Sequence, residues 1–138
     1  MGYKVPREAW RIIEIKIRRY PDNKKIYETT VDALLHNSSE SDGMPRGNSM
    51  GNPTERIAIK LAEDRRLERI KKEIDAVESV YKELLPEHQK VIRVRFWSNR
   101  HKNMPYLWME PATGYKEAQM KRVCGLFVKA VGERLGEI

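Results

Sequence analysis

Cysteine is nearly absent from this chain of 138 residues, and with Cys124 as the single thiol it can build neither a disulfide framework nor a cysteine-based zinc site. A reducing, cytoplasmic setting is the expectation that follows. Long apolar runs are missing as well: no stretch approaches the roughly 20 residues that a membrane span requires. The opening Met1-Gly2-Tyr3-Lys4-Val5-Pro6 runs into charged residues without the apolar core of a signal peptide, so neither export nor membrane insertion is expected. Histidine is scarce. His36, His88 and His101 are scattered with no carboxylate or second histidine at ligand spacing, which argues against a metal site, and His88 reads as a polar first-turn helix residue. Gly43, Gly47 and Gly51 fall in one loop without the strand and helix that turn such glycines into a phosphate cradle. Glu68, Glu73 and Glu78 alternate with Lys and Arg and read as a salt-bridged helix surface rather than an acid/base pair. No cofactor is expected, and nothing in the chain proposes an enzyme.

What the sequence has in excess is positive charge, with 27 Lys and Arg against 20 Asp and Glu and a net charge of +7. Such an excess concentrates polyanions near the surface and favours phosphate contacts, which makes nucleic acid the leading class of partner. Charge alone does not choose between DNA, RNA and an anionic membrane surface. The length suits one domain or two small helical units.

Periodicity and proline placement predict an all-α chain. Pro6, Pro21, Pro53 and Pro86 each stand where a first helical turn tolerates a missing N–H. The first helix is expected from about Pro6 to Arg19, with Trp10, Ile13, Ile17 and Tyr20 on one face and a basic face opposite. Ile13, Ile15 and Ile17 also alternate like a strand, but a lone strand would have no hydrogen-bonding partner. A second helix, from about Pro21 to His36, would fold back on the first and complete an N-terminal helical hairpin over residues 1–37. Residues 38–52, rich in Ser, Gly, Asn, Asp and Pro, read as a flexible loop. A long central helix is expected over 53–85, opened by Asn52-Pro53-Thr54-Glu55 as a capping-box start. Its Leu67, Ile70, Ile74, Val77, Tyr81 and Leu84 form a coiled-coil-like seam. Upstream the repeat falters across Asp64 and Arg65, and a stutter or bend is expected near Glu63. The seam could pair with its copy in a homodimer or be covered within a monomer.

Residues 86–138 order themselves as a helix-turn-helix unit. One helix runs from Pro86 to about Trp97, and a short helix from about Pro105 to Glu110 is ended by Pro111. Gly114 supplies the left-handed turn residue, and a last helix runs from about Tyr115 to Leu135. Met120, Val123, Cys124, Phe127, Val131 and Leu135 share its buried face. At about 100° per residue the opposite face carries Ala118, Gln119, Arg122, Gly125 and Lys129, with Lys116 and Lys121 on the flanks. Small Ala118 and Gly125 would let the helix approach a groove, Gln119 can bond adenine, and Arg122 can fork onto guanine. Lys116, Lys121 and Lys129 suit phosphates, and double-stranded DNA is the expected partner.

Tyr20-Pro21 with Lys24-Lys25-Ile26, Asn52-Pro53-Thr54 with Ala58 and Leu61, and Leu85-Pro86-Glu87 with Val91-Ile92 and Arg95-Phe96-Trp97 resemble the RinA-type phage transcriptional activators. The resemblance covers nearly the whole chain, and the part from Leu84 to Leu135 is similar to sigma factor region 4. It implies activation of late packaging and structural genes in a bacterial host, through upstream DNA and contact with RNA polymerase. Where the family pattern has a serine cap, this chain has Lys116, forfeiting a cap typically worth about 1 kcal/mol. Glu110 and Pro111 replace a small residue and a continuing turn. The alternative is a small terminase subunit, a DNA-packaging protein that would combine such a motif with an oligomerising coiled coil. A helical adaptor whose charge serves only solubility is the third reading.

Overall fold

The computed structural model describes residues 5–40, 55, 58–59 and 64–138, and all its regular elements are helical. The expected helix start at Asn52-Pro53 and the loop beyond residue 40 lie outside the described residues. Helix α1 spans Arg7–Arg18 with Pro6 as its extended N-cap. Ile13 and Ile17 are fully buried while Ile15 is 53% exposed, as a helix and not a strand requires.

A single residue, Arg19, separates α1 from α2 (Tyr20–Glu40). Pro21 has no N–H to return to the Ile17 carbonyl four residues back. That carbonyl instead accepts the Trp97 indole N–H at 2.8 Å. Trp97 also stacks obliquely on Tyr20 and Tyr81, with ring centroids 5.0 and 5.4 Å away, so the joint is locked from three sides. Beyond it α2 lies mainly along the central helix, α3 (Arg65–Lys82), rather than back along α1.

The central helix expected over 53–85 is divided: Glu55, Ala58 and Ile59 are helical, and α3 begins anew at Arg65. Asp64 is extended, and its carboxylate accepts the N–H groups of Arg66 and Leu67 at 3.0 and 3.1 Å, an N-cap that interrupts the helical course where the heptad falters. The seam is used inside the chain: Leu67, Ile70, Ile74 and Val77 are buried against α2 and against the last helix. Glu73, expected on a solvated surface, is 5% exposed, and its partners come from the α1–α2 joint. The Asn23 amide donates to it at 3.1 Å and the Arg19 guanidinium lies 3.6 Å away. Glu78 accepts the Tyr20 hydroxyl at 2.6 Å, which holds its carboxyl below the usual carboxylate range.

Helix α4 (Pro86–Ile92) begins at Pro86 and widens into a π turn over Arg93–Trp97, closed by Ser98 N–H donating to the Arg93 carbonyl at 2.8 Å. A 3₁₀ turn at Tyr106–Met109 leads into the one-turn helix α5 (Glu110–Thr113), and α6 (Glu117–Leu135) ends the fold. Pro111 therefore opens α5 rather than stopping the preceding helix, since a first-turn proline sacrifices no intrahelical bond. Every apolar residue expected on the buried face of the last helix is buried, together with Val128. Around that stripe gather Ile13 and Ile17 of α1, Val77 and Val80 of α3, Val91, Ile92 and Phe96 of the α4 stretch, and Met109. Helix α6 is thus fixed from several sides along its length. No helix among the described residues is long and apolar enough to cross a membrane.

Candidate nucleic-acid interface

Local chemistry sets the turn before α6. Gly114 takes φ 76°, a left-handed conformation that costs a Cβ-bearing residue roughly 1–2 kcal/mol, and its N–H closes α5 onto the Glu110 carbonyl at 2.8 Å. The buried Thr113 hydroxyl lies 3.2 Å from the Met109 carbonyl and accepts the Tyr115 N–H at 3.2 Å. Tyr115 in turn meets the His88 ring edge-on at 5.9 Å, tying the turn to the start of α4.

Helix α6 then opens without a cap of its own. The N-cap residue, Lys116, carries an ammonium group with no acceptor, so it cannot serve the first N–H groups. Glu110 takes that role from the preceding helix, accepting the Glu117 N–H at 3.0 Å with a side chain that is 22% exposed. The Gln119 amide oxygen accepts the Lys116 N–H at 2.9 Å, the return half of a capping box. Two acceptors, one from each side of the turn, serve where an N-cap side chain would.

Lys116, Ala118, Gln119, Lys121 and Arg122 are all exposed on the first two turns of α6. They differ in freedom. Gln119 must release the Lys116 N–H before its amide oxygen can meet a base, and Lys121 pairs with Glu117 at 2.9 Å. Arg122 has no ion pair or hydrogen bond among the described residues and shares its face with Leu126, which is 64% exposed and was not read from the sequence. Further along, the expected groove-facing surface is corrected. A Cβ on Gly125 would stand 3.7 Å from Trp10, so α1 occupies the side of α6 that this small residue was expected to open to a groove. Lys129 is half-buried and lies about 16 Å along the helix axis from Ala118.

The two flanks of α6 differ in charge. On one side Leu84, His88, Tyr115, Gln119, Arg122, Val123 and Leu126 line a mostly apolar groove of about 310 Å³. On the other, an open cleft of about 510 Å³ is lined by Arg18, Arg95, Lys102 and Lys121, with Glu117 as its carboxylate. Tyr106 forms part of its wall: the Arg95 guanidinium lies 4.0 Å from the ring centroid and the Lys121 ammonium 5.8 Å. Burial pushes the Tyr106 hydroxyl up to about 12 and the neighbouring Cys124 thiol up to about 11, so both stay neutral at physiological pH. Arg18, Arg95 and Lys102 were missed as site residues. Arg18 lies on a face that reads simply as basic, Arg95 enters only through the family resemblance, and no local pattern links positions 18, 95, 102 and 121.

The family model described as "Protein of unknown function (DUF722)" matches residues 12–133, and the chain belongs to that family. No curated protein and no solved structure matches it.

Proposed function

We propose that this chain regulates transcription by binding double-stranded DNA, with the first turns of α6 seated in the major groove. One observation carries the reading: an exposed, basic start of α6 is held by an otherwise fixed turn, with Arg122 unpartnered at its centre. An arginine free of internal partners on a supported helix is suited to fork onto the O6 and N7 of guanine. Lys116 and Lys121 are placed to meet phosphates beside it, and the net charge of +7 supplies attraction at longer range. Gln119 contributes to the turn first and to base contact only after giving up its internal bond.

The resemblance to RinA-type activators makes late phage promoters the proposed target and recruitment of RNA polymerase the proposed mechanism. The packaging alternative leans on a seam free to oligomerise, whereas here the seam faces α2 and α6, which favours the regulatory reading. Selection of bound fragments from phage genomic DNA, followed by footprinting with Arg122→Ala, tests the proposal. A single late-promoter peak is expected, with specific binding weakened by about 1–3 kcal/mol in the variant. An unchanged footprint would remove Arg122 from the interface, and enrichment at a packaging site would favour the terminase.

A further inference from the structure

We propose that the cleft beside α6 is a phosphate seat, in which Arg18, Arg95, Lys102 and Lys121 hold a backbone phosphodiester of the bound duplex. The inference rests on the reading that α6 faces DNA and deepens it: helix α1, which ends 99 positions before α6 begins, becomes part of the interface. Four cations and one carboxylate line the cleft, and that carboxylate, Glu117, is already paired with Lys121. Arg18 shares its charge with Glu14 of its own helix, 3.8 Å away, whereas Lys102 has no carboxylate within ion-pair distance among the described residues.

The two arginines are already positioned. Arg95 lies against Tyr106 and donates through one Nη1 to the Met104 carbonyl at 3.2 Å. Arg18 lies 5.2 Å above the Phe96 ring and donates to the Lys102 carbonyl at 3.2 Å. Both guanidinium groups therefore clip the 98–105 segment and are ordered before any ligand arrives, which lowers the entropy lost on binding. The Arg95 Nε–H is shut off from solvent and finds no acceptor among the described residues, so the guanidinium would meet phosphate through its Nη2 end, beside the Nη1 that holds the Met104 carbonyl. Tyr106, held neutral, brings no competing negative charge to the wall.

The location matters as much as the charge. Lys121 belongs to this cleft and also stands one residue before Arg122 on the exposed start of α6. A duplex read by Arg122 would bring one of its two strands past Lys121, on the cationic flank, while the other flank offers a mostly apolar groove. The cleft thus fixes which strand is gripped and how α6 is oriented in the groove.

Lys102→Ala in the full chain is the test, because the Lys102 backbone and not its side chain holds Arg18. Binding to a promoter duplex and to a random duplex is measured across a range of salt. Affinity should fall by a similar factor on both, and the slope of log K against log salt should drop by about 1. Arg122→Ala should instead weaken the promoter duplex selectively. An unchanged slope and affinity for Lys102→Ala, with the wild type binding DNA, overturns the seat and leaves the reading of α6 standing. Inorganic phosphate, titrated while the arginine Nε resonances are followed by NMR, gives an independent readout, with a saturable shift expected at Arg95. If the wild type binds no duplex, the reading of α6 falls and that titration decides the cleft alone: a saturable Arg95 shift keeps a phosphate seat, and none overturns it.

Discussion

Replacing Glu110 with alanine should loosen α6 where it faces the proposed groove. The carboxylate accepts the Glu117 N–H at 3.0 Å, standing in for a cap that Lys116 cannot supply. Losing an N-cap acceptor costs about 1 kcal/mol, and losing a negative charge at a helix N-terminus adds roughly 0.3–1 kcal/mol. The Glu110–Lys116 pair, 3.8 Å apart with the lysine side chain 83% exposed, adds almost nothing. The expected destabilisation is therefore about 1.5 kcal/mol, which for a chain of this size lowers Tm by roughly 5 °C. Glu110→Gln keeps an oxygen acceptor but loses the charge, so it should fall less. Lys116→Ser supplies an independent cap to the N–H of Ala118 or Gln119 and should recover part of the Glu110→Ala loss, without restoring the Glu117 bond. Thermal and urea denaturation of the four variants measure this, with amide exchange at Glu117 locating the change. A Glu110→Ala variant melting within about 1 °C of the wild type would refute the cap, and equal losses for Ala and Gln would assign the effect to charge rather than the hydrogen bond.

Trp97→Phe removes the donor serving the carbonyl that Pro21 leaves open and should cost about 1–3 kcal/mol. The loss should shrink in a Pro21→Ala background, where an N–H is restored, and a double-mutant cycle in urea with zero coupling would contradict this. Gly114→Ala places a Cβ at φ 76° and should destabilise by about 1 kcal/mol, although nothing lies within 4 Å of the added carbon, so an unchanged urea midpoint would deny backbone strain as the cause. Cys124 has a thiol raised by burial from 9.0 to about 11, so the folded state holds its proton longer than the unfolded chain does. Its contribution is complete below pH 9 and is lost as pH rises through about 11; Cys124→Ala should flatten that part of the stability profile, and parallel profiles would argue against the shift.

The helices legible in the sequence were those with one continuous apolar face. The burial of Ile13 and Ile17 and of the stripe from Met120 to Leu135 follows from spacing alone, because a single partner surface suffices to select the helical period. Ends were harder to read wherever two signals competed. The span from 53 to 85 reads as one helix, but Asp64 caps a new start within it, where the apolar repeat breaks. Within the site, the exposure of Lys116, Ala118, Gln119, Lys121 and Arg122 was legible, and the covering of Gly125 was not. A glycine has no side chain to mark its neighbour, so spacing on α6 could not reveal that Trp10 of α1 packs there. The Glu110 cap joins residues seven apart across a turn, and the Arg18 cleft joins four distant segments. Such contacts arise only from how the helices are stacked.

The π turn at Arg93–Trp97 carries a consequence for how this chain can change over generations. A π turn is a helix that has accommodated an extra residue, and here three consecutive side chains depend on its wider spiral. Arg95 points to Tyr106 and the cleft, Phe96 enters the core at 2% exposure, and Trp97 reaches the Ile17 carbonyl. Deleting one residue would return the segment to ordinary helical winding and swing all that follows around the axis, so that the side chains at the cleft, the core and the joint could not all be kept. A one-residue deletion between Arg93 and Trp97 is therefore a change this fold cannot absorb locally.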